Sequence, residues 1–219
     1  MTQNKQFEAD YFAGRKGRSK PYLREKNTFY LYEKEIVKYV DLSGQRILDV
    51  ACALGGFVSL CQKKGAYAIG LDISLYALQQ AFKENEEQYI QANGMEGLPL
   101  GNQTIDILTA FDLIEHLGDP KPLLTEIHRI VKPKGWLFLS TPNSMSFKRP
   151  ILGEKWNYDE THVRFFKASD LKMLLNQFSF EVVQVICFTE SRFKLLEVLF
   201  SIFNKAQLGD YLLVIAQRR

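Results

Sequence analysis

Ile47-Leu48-Asp49-Val50 is an apolar run holding one acid, and Ala51-Cys52-Ala53-Leu54-Gly55-Gly56 after it is a turn of small residues. One helix length later, Ala68-Ile69-Gly70-Leu71-Asp72 is a second apolar run that closes on another acid. Strand, small-residue turn, helix, and a strand ending in a carboxylate form one unit of a nucleoside-binding α/β fold. No other feature of the chain constrains its fold as tightly.

The rest of the chain agrees with one domain. Its 219 residues, 46% hydrophobic and 24% charged, suffice for a buried core without disulfides or metals. The net charge of +3 is small, and the basic cluster Arg15–Lys20, with Arg24 and Lys26, reads as a solvated run. A dedicated nucleic-acid binder would carry a broader basic face. Cys52, Cys61 and Cys187 have no metal-ligand spacing, so no metal is expected, and their odd number argues against a disulfide framework. A reducing cytoplasm is the simplest setting. The first residues lack a signal-type apolar stretch, and runs such as Leu195–Phe203 are too short to span a bilayer. A soluble protein is expected, with peripheral membrane contact as the minor reading. The sequence does not address the oligomeric state.

Along the chain we expect a cap segment (1–42), a ligand-binding core (43–142) and a segment facing the second substrate (143–219). Residues 1–27 read as a polar leader with scattered aromatics that orders over a site. A helix is expected over Thr28–Tyr39, with Leu31, Ile36 and Val40 on one side. Strands are expected at Arg46–Val50, Tyr67–Leu71, Tyr89–Ala92, Asp106–Ala110 and Trp136–Ser140, and helices near Gly56–Lys64, Leu75–Asn85 and Pro120–Val131. Asp119 and Pro120 start the last helix, and Lys132–Gly135 stops it. Two late strands, Phe180–Cys187 and Tyr211–Gln217, flank a helical insert at 191–206 with a wide apolar arc. The expected architecture is a Rossmann-like, doubly wound, mostly parallel sheet with an antiparallel C-terminal hairpin edge.

Ligands of such sheets bind where the strands' carboxyl ends open. Small residues at 51, 53, 55 and 56 let the backbone approach a ligand, and the helix beginning near Gly56 points N–H groups at it. Asp72 is placed to accept bonds from both hydroxyls of a ribose, or to cap the helix near Ser74. Asn93, after the third strand, is placed to meet an adenine edge.

These segments resemble class I S-adenosylmethionine-dependent methyltransferases. Ile47 to Gly55 is similar to the family's first motif and Gly70 to Ser74 to its second. Leu98-Pro99-Leu100, Thr104-Ile105-Asp106, Ile114-Glu115-His116-Leu117 and Glu126 to Gly135 look like the segments that follow. The stretch Thr161 to Phe166, with Asp170-Leu171 and Phe178 to Val183, is similar to a subgroup common among small-molecule and sugar methyltransferases. The resemblance implies S-adenosylmethionine as cofactor. It also implies Asp49 at the methionine amino end, beside backbone of Ala51, Ala53 and Gly55. Asp72 would hold the ribose, Ile73 would flank the adenine, and Asn93 with Gly94 or Met95 would meet its polar edge. Phe111 and Asp112 would lie beside the methionine portion. The family's usual glycines are Ala51 and Ala53 here.

The activity then expected is methyl transfer to a small-molecule acceptor: O- or N-methylation of a sugar, lipid-linked or secondary-metabolite substrate. A sulfonium already activates the methyl, so alignment in a dry pocket does most of the work, and a hydroxyl or ammonium acceptor also needs a base. His162 and His116 are the candidates, because histidine titrates near neutrality. Tyr11, Tyr22, Trp156, Tyr158 and Arg164 are the candidate substrate contacts; His128 reads as surface. Two other readings stay open: a methyltransferase fold serving only as a binding subunit, and a nicotinamide-dependent oxidoreductase.

Overall fold

The computed structural model describes residues 7, 9–14, 26–84, 88–153, 159–189 and 204–219. Tyr22, Trp156, Tyr158, the cluster Arg15–Lys20 and most of the expected insert lie outside the described residues.

Seven strands form one sheet in the order β3-β2-β1-β4-β5-β7-β6. They are β1 (Arg46–Val50), β2 (Tyr67–Asp72), β3 (Gln88–Gln91), β4 (Ile105–Phe111), β5 (Val131–Pro142), β6 (Phe180–Phe188) and β7 (Tyr211–Arg218). The pairs β1–β2, β2–β3, β1–β4 and β4–β5 are parallel. Only β7 runs the other way, between β5 and β6, so the hairpin edge expected from the sequence is present with β6 outermost. From β1 the chain winds outward to β3 and then returns to lay β4 on the other side of β1. The crevice at that reversal is where an open α/β sheet takes its ligand.

Alternation along the strands divides the core. Leu48, Leu108, Leu137 and Val214 face one side with α5 (Lys121–Ile130) and α7 (Ala168–Gln177). Ile47, Ile107, Phe138 and Ile215 face the other with α3 (Gly56–Lys63) and α2 (Lys26–Ile36). On α5, Leu123, Leu124, Ile127 and Ile130 form one buried stripe, each contributing roughly 1.5–3 kcal/mol by burial. Asp119 Oδ1 accepts a bond from Lys121 N at its start.

Two expectations change. On α2 the buried residues are Tyr32 and Ile36, while Leu31 is exposed; the Tyr32 ring lies 4.3 Å from that of Phe111 and anchors the helix to the end of β4. Val131 heads β5 instead of ending a helix. Lys132–Gly135 form an irregular strand start, because Ile105 pairs with Val131 and Ile107 with Trp136, and Lys134 takes up the surplus at φ 63°.

Two glycines shape the surroundings of the β1 turn. A Cβ on Gly70 would lie 2.7 Å from both Cys52 Sγ and the Tyr89 ring. Gly55 has φ 69°, and a Cβ there would collide with the Tyr89 hydroxyl. Tyr89 of β3 thus packs directly beneath the turn that follows β1.

Candidate active site

That turn is strained where the sequence carries alanine. Ala51 and Ala53 have φ 61° and 49°, a left-handed conformation that disfavours any side chain with a Cβ. Asp72 holds it in place: Oδ2 accepts a bond from Ala53 N at 2.8 Å, and Oδ1 accepts from Ser74 N at 2.8 Å. The cap of the following helix, Leu75–Glu84, is Ser74, whose Oγ accepts from Ala77 N, so Asp72 orders the turn ahead of that helix and does not itself cap it. A carboxylate accepts about four hydrogen bonds, so the same group retains acceptor capacity. Burial raises its pKa despite these bonds.

Asp49 lies opposite Thr109 in the parallel register of β1 and β4 and accepts a 2.7 Å bond from its hydroxyl. It is 4% exposed. Burial, with the charge of Asp72 adding to it, pushes its pKa up to about 7. A buried carboxyl of this kind, with no ion pair to a described Lys, Arg or His, is suited to meet a cation brought by a ligand.

The remaining expected ligand contacts divide. Ile73 is half-buried just past β2. Asn93 is committed locally: Oδ1 accepts from Met95 N and Nδ2 donates to Glu96. A Cβ on Gly94 would press on Leu123 at 3.0 Å, so Gly94 and Met95 serve first to pack this turn. Phe111 turns into the core, perpendicular to Phe57 at 5.0 Å, because strand alternation puts it on the face of Ile107. Asp112 is exposed with φ 47° and accepts a bond from Ser140 Oγ, which in turn accepts one from the Tyr32 hydroxyl.

A short helix, α1 (Ala9–Phe12), roofs the β1 turn. Tyr11 and Phe12 are buried in a cluster with Ala53 and Ala77, packed with Phe7, Leu54 and Tyr76. The leader is already ordered over the crevice at these residues.

At the end of β4 a 3-10 turn, Ile114–His116, carries the second half of the site. Val163 N and Arg164 N both donate to Glu115 O, which draws the 159–164 loop onto it. His116 Nδ1 lies 2.8 Å from Thr161 Oγ1 and 3.2 Å from Thr161 O. The Thr161 hydroxyl donates to Asp159 Oδ1 at 2.5 Å, so its oxygen and the carbonyl are both acceptors toward His116. That assigns the proton to Nδ1 and makes Nε2 the acceptor nitrogen of the ring. The two histidine rings are 4.6 Å apart, and His162 Nε2 lies 3.9 Å from Asp159 and 4.0 Å from Glu115. The sequence pair His116/His162 is thus brought together.

Glu115 was missed from the sequence. It is 1% exposed; Oε2 accepts from Thr141 Oγ1 at 2.9 Å, and buried Oε1 accepts no hydrogen bond. Burial, then the charges of Asp112 and Asp159, raise its pKa well above the usual carboxylate range. Glu115, His116 and His162 present one donor atom each within 4.8 Å of one another, a set able to hold a metal ion. The only available signal was an acid–histidine pair immediately after a strand end.

Arg164 and His128 each have a partner within the protein. Arg164 Nε donates to Gly118 O at 2.8 Å, so that side chain pins the loop from outside. His128 is not simple surface: it is half-buried, edge-on to Phe180 at 6.1 Å, and burial and Arg218 lower its pKa. No helix among the described residues is long and apolar enough to cross a membrane.

Comparison with known proteins gives one consistent answer. Residues 23–185 match the family model described as a methyltransferase domain. The ubiquinone biosynthesis O-methyltransferase of Coxiella burnetii is 33% identical over 150 residues, covering 63% of this chain and 64% of the relative. The chain thus spans a little under two thirds of the curated relative's length. An S-adenosylmethionine-dependent methyltransferase from Archaeoglobus fulgidus superposes with a TM-score of 0.70 at 21% identity, covering 89% of this chain and 95% of that one. Magnesium protoporphyrin IX methyltransferase from Synechocystis, solved with bound S-adenosylhomocysteine, gives 0.68 at 14% identity, covering 90% and 84%. At these identities the two structures establish a shared fold.

Proposed function

The chain belongs to the class I S-adenosylmethionine-dependent methyltransferase family, and from that premise we propose that it methylates a small-molecule acceptor. One observation carries this reading. Two buried carboxylates at the ends of β1 and β2, Asp49 and Asp72, share one roof, α1, with the Glu115/His116/His162 cluster at the end of β4. A binding crevice and a polar cluster under one cover suit transfer between two bound molecules.

The crevice residues fit S-adenosylmethionine. Asp72 would take the ribose hydroxyls with its remaining acceptor capacity, while its bonds to Ala53 N and Ser74 N keep it oriented. Asp49, a buried acid pushed up to about 7, would become ionised against the ammonium of the methionine end. When bound, the cofactor supplies a methyl group on a positively charged sulfur, already activated for displacement. The protein then aligns and dries the site; Phe7, Tyr11 and Phe12 do this from above. His162, flanked by Asp159 and Glu115, is placed to take up the acceptor's proton, with the two acids stabilising the charge it gains. The likeness to an O-methyltransferase supports a hydroxyl acceptor.

The test is transfer of labelled methyl from S-adenosylmethionine into small molecules of a cell extract. Label should enter a low-molecular-mass product. His162→Ala should lower the rate by ~10²–10⁴ while S-adenosylhomocysteine still binds. Binding without any label transfer would favour a binding subunit instead.

A further inference from the structure

The oxygen of Glu115 that accepts no hydrogen bond is an unusual expense. Leaving a buried acceptor unsatisfied costs ~1–3 kcal/mol, more for a charged group. No described Lys or Arg forms an ion pair with Glu115, and Asp112 and Asp159 add negative charge around it. The groups that do converge on it are two imidazoles. His162 Nε2 faces Oε1 at 4.0 Å, beyond hydrogen-bond reach. The His116 Nδ1 proton is engaged by Thr161, directing the Nε2 lone pair elsewhere.

We propose that Glu115, His116 and His162 bind a divalent transition-metal cation, with an acceptor hydroxyl oxygen taking an open coordination position. Metal–nitrogen and metal–oxygen bonds are ~2.0–2.2 Å long. An ion midway between His162 Nε2 and Glu115 Oε1, 4.0 Å apart, therefore reaches both without moving the backbone. All three donor atoms lie within 4.8 Å of one another, so small side-chain adjustments complete the set. Two neutral imidazoles and one carboxylate suit zinc, cobalt, iron or manganese better than magnesium or calcium, which prefer all-oxygen shells. The surroundings have the form that metal sites use. Ligating histidines donate their other ring N–H to a carbonyl or carboxylate partner, as His116 does to Thr161. Thr141 orients the non-ligating oxygen of Glu115. Three protein ligands leave positions for water or substrate, and a bound cation lowers the pKa of a coordinated hydroxyl. With the ion in place His162 is therefore a ligand, and the cation takes over the activation of the hydroxyl that the metal-free site would leave to His162 as base.

The acceptor part of this inference rests on the methyl-transfer reading; the metal site does not. The test uses the chelator-treated full chain, equilibrium dialysis against Co²⁺ and the visible spectrum of the bound ion. We expect one Co²⁺ per chain, displaced by Zn²⁺ but not by equal Mg²⁺. His116→Ala and His162→Ala should each weaken binding about tenfold or more, as should the near-isosteric Glu115→Gln. S-adenosylhomocysteine titration of each variant confirms that it is folded. Absence of stoichiometric Co²⁺ binding, or equal binding by both histidine variants, overturns the site. Failure of S-adenosylhomocysteine to bind the wild-type chain would instead count against the methyl-transfer reading, whatever Co²⁺ does.

Discussion

The hydroxyl of Tyr11 donates a hydrogen bond to Asp159 Oδ2 at 3.2 Å, joining the leader to a loop 148 positions further along the chain. On the same short helix, Phe12 packs with Ala53 and Tyr76; Phe7, ahead of the helix, lies edge-on to His116 at 5.6 Å. One element therefore touches both halves of the site. Ordering backbone costs ~1–2 kcal/mol per residue, and here aromatic burial over the crevice offsets it.

Tyr11→Phe keeps the ring packing and removes only the bond to Asp159. It should lower turnover severalfold and leave S-adenosylhomocysteine affinity within about twofold. Deleting residues 1–14 should weaken both, and the amides of Ala9–Gly14 should gain hydrogen-exchange protection when S-adenosylhomocysteine is added. A deletion that changes neither binding nor turnover would show the roof to be incidental.

Asp49 gives cofactor binding a pH dependence with a definite sign. Its folded-state pKa of about 7 lies well above the ordinary aspartate value of 3.8. The free folded chain therefore holds a proton that the unfolded chain has lost, and its stability falls as pH rises from about 4 to about 7. A ligand ammonium favours the ionised form. Affinity for S-adenosylhomocysteine should thus strengthen between pH 6 and pH 7.5, and Asp49→Asn should flatten the profile while stabilising the free chain at pH 8. Calorimetric titrations at the two pH values decide it; a flat wild-type profile would remove Asp49 from the ammonium role.

Strain in the β1 turn predicts opposite effects at neighbouring positions. Ala51 sits at φ 61° and is only half-buried, so Ala51→Gly should raise stability by up to ~1 kcal/mol, the strain relief less the extra entropy of unfolded glycine. Gly55→Ala should lower it by more than about 2 kcal/mol, because the added methyl meets the Tyr89 hydroxyl at a left-handed φ. Thermal melts of the two variants read both signs; a loss of stability in Ala51→Gly would contradict the strain argument.

Much of this was legible in the sequence, for local reasons. Asp49 and Asp72 stand at the ends of apolar runs whose period and length mark strands, and strand ends place side chains predictably. The packing of Phe111 was legible too: Ile107, Thr109 and Phe111 alternate onto one face of β4, which turns the ring toward Tyr32 and Phe57. Arg164 and Glu115 were not legible in the same way. Their roles are set by the loop that returns from residue 159 and pairs Val163 N and Arg164 N with Glu115 O. No local pattern encodes that return. The bond from Tyr11 to Asp159 joins two distant segments and has no sequence signature.

If the crevice between the ends of β1 and β2 binds the cofactor through Asp72, calorimetric titration of S-adenosylhomocysteine into the wild-type chain and into Asp72→Ala will separate the two. Hydrogen bonds to a charged group are worth ~1.5–3 kcal/mol each. We predict one site per wild-type chain and at least about tenfold weaker binding in the folded variant. Equal affinity in the two chains, or no binding by the folded wild-type chain, would contradict the account.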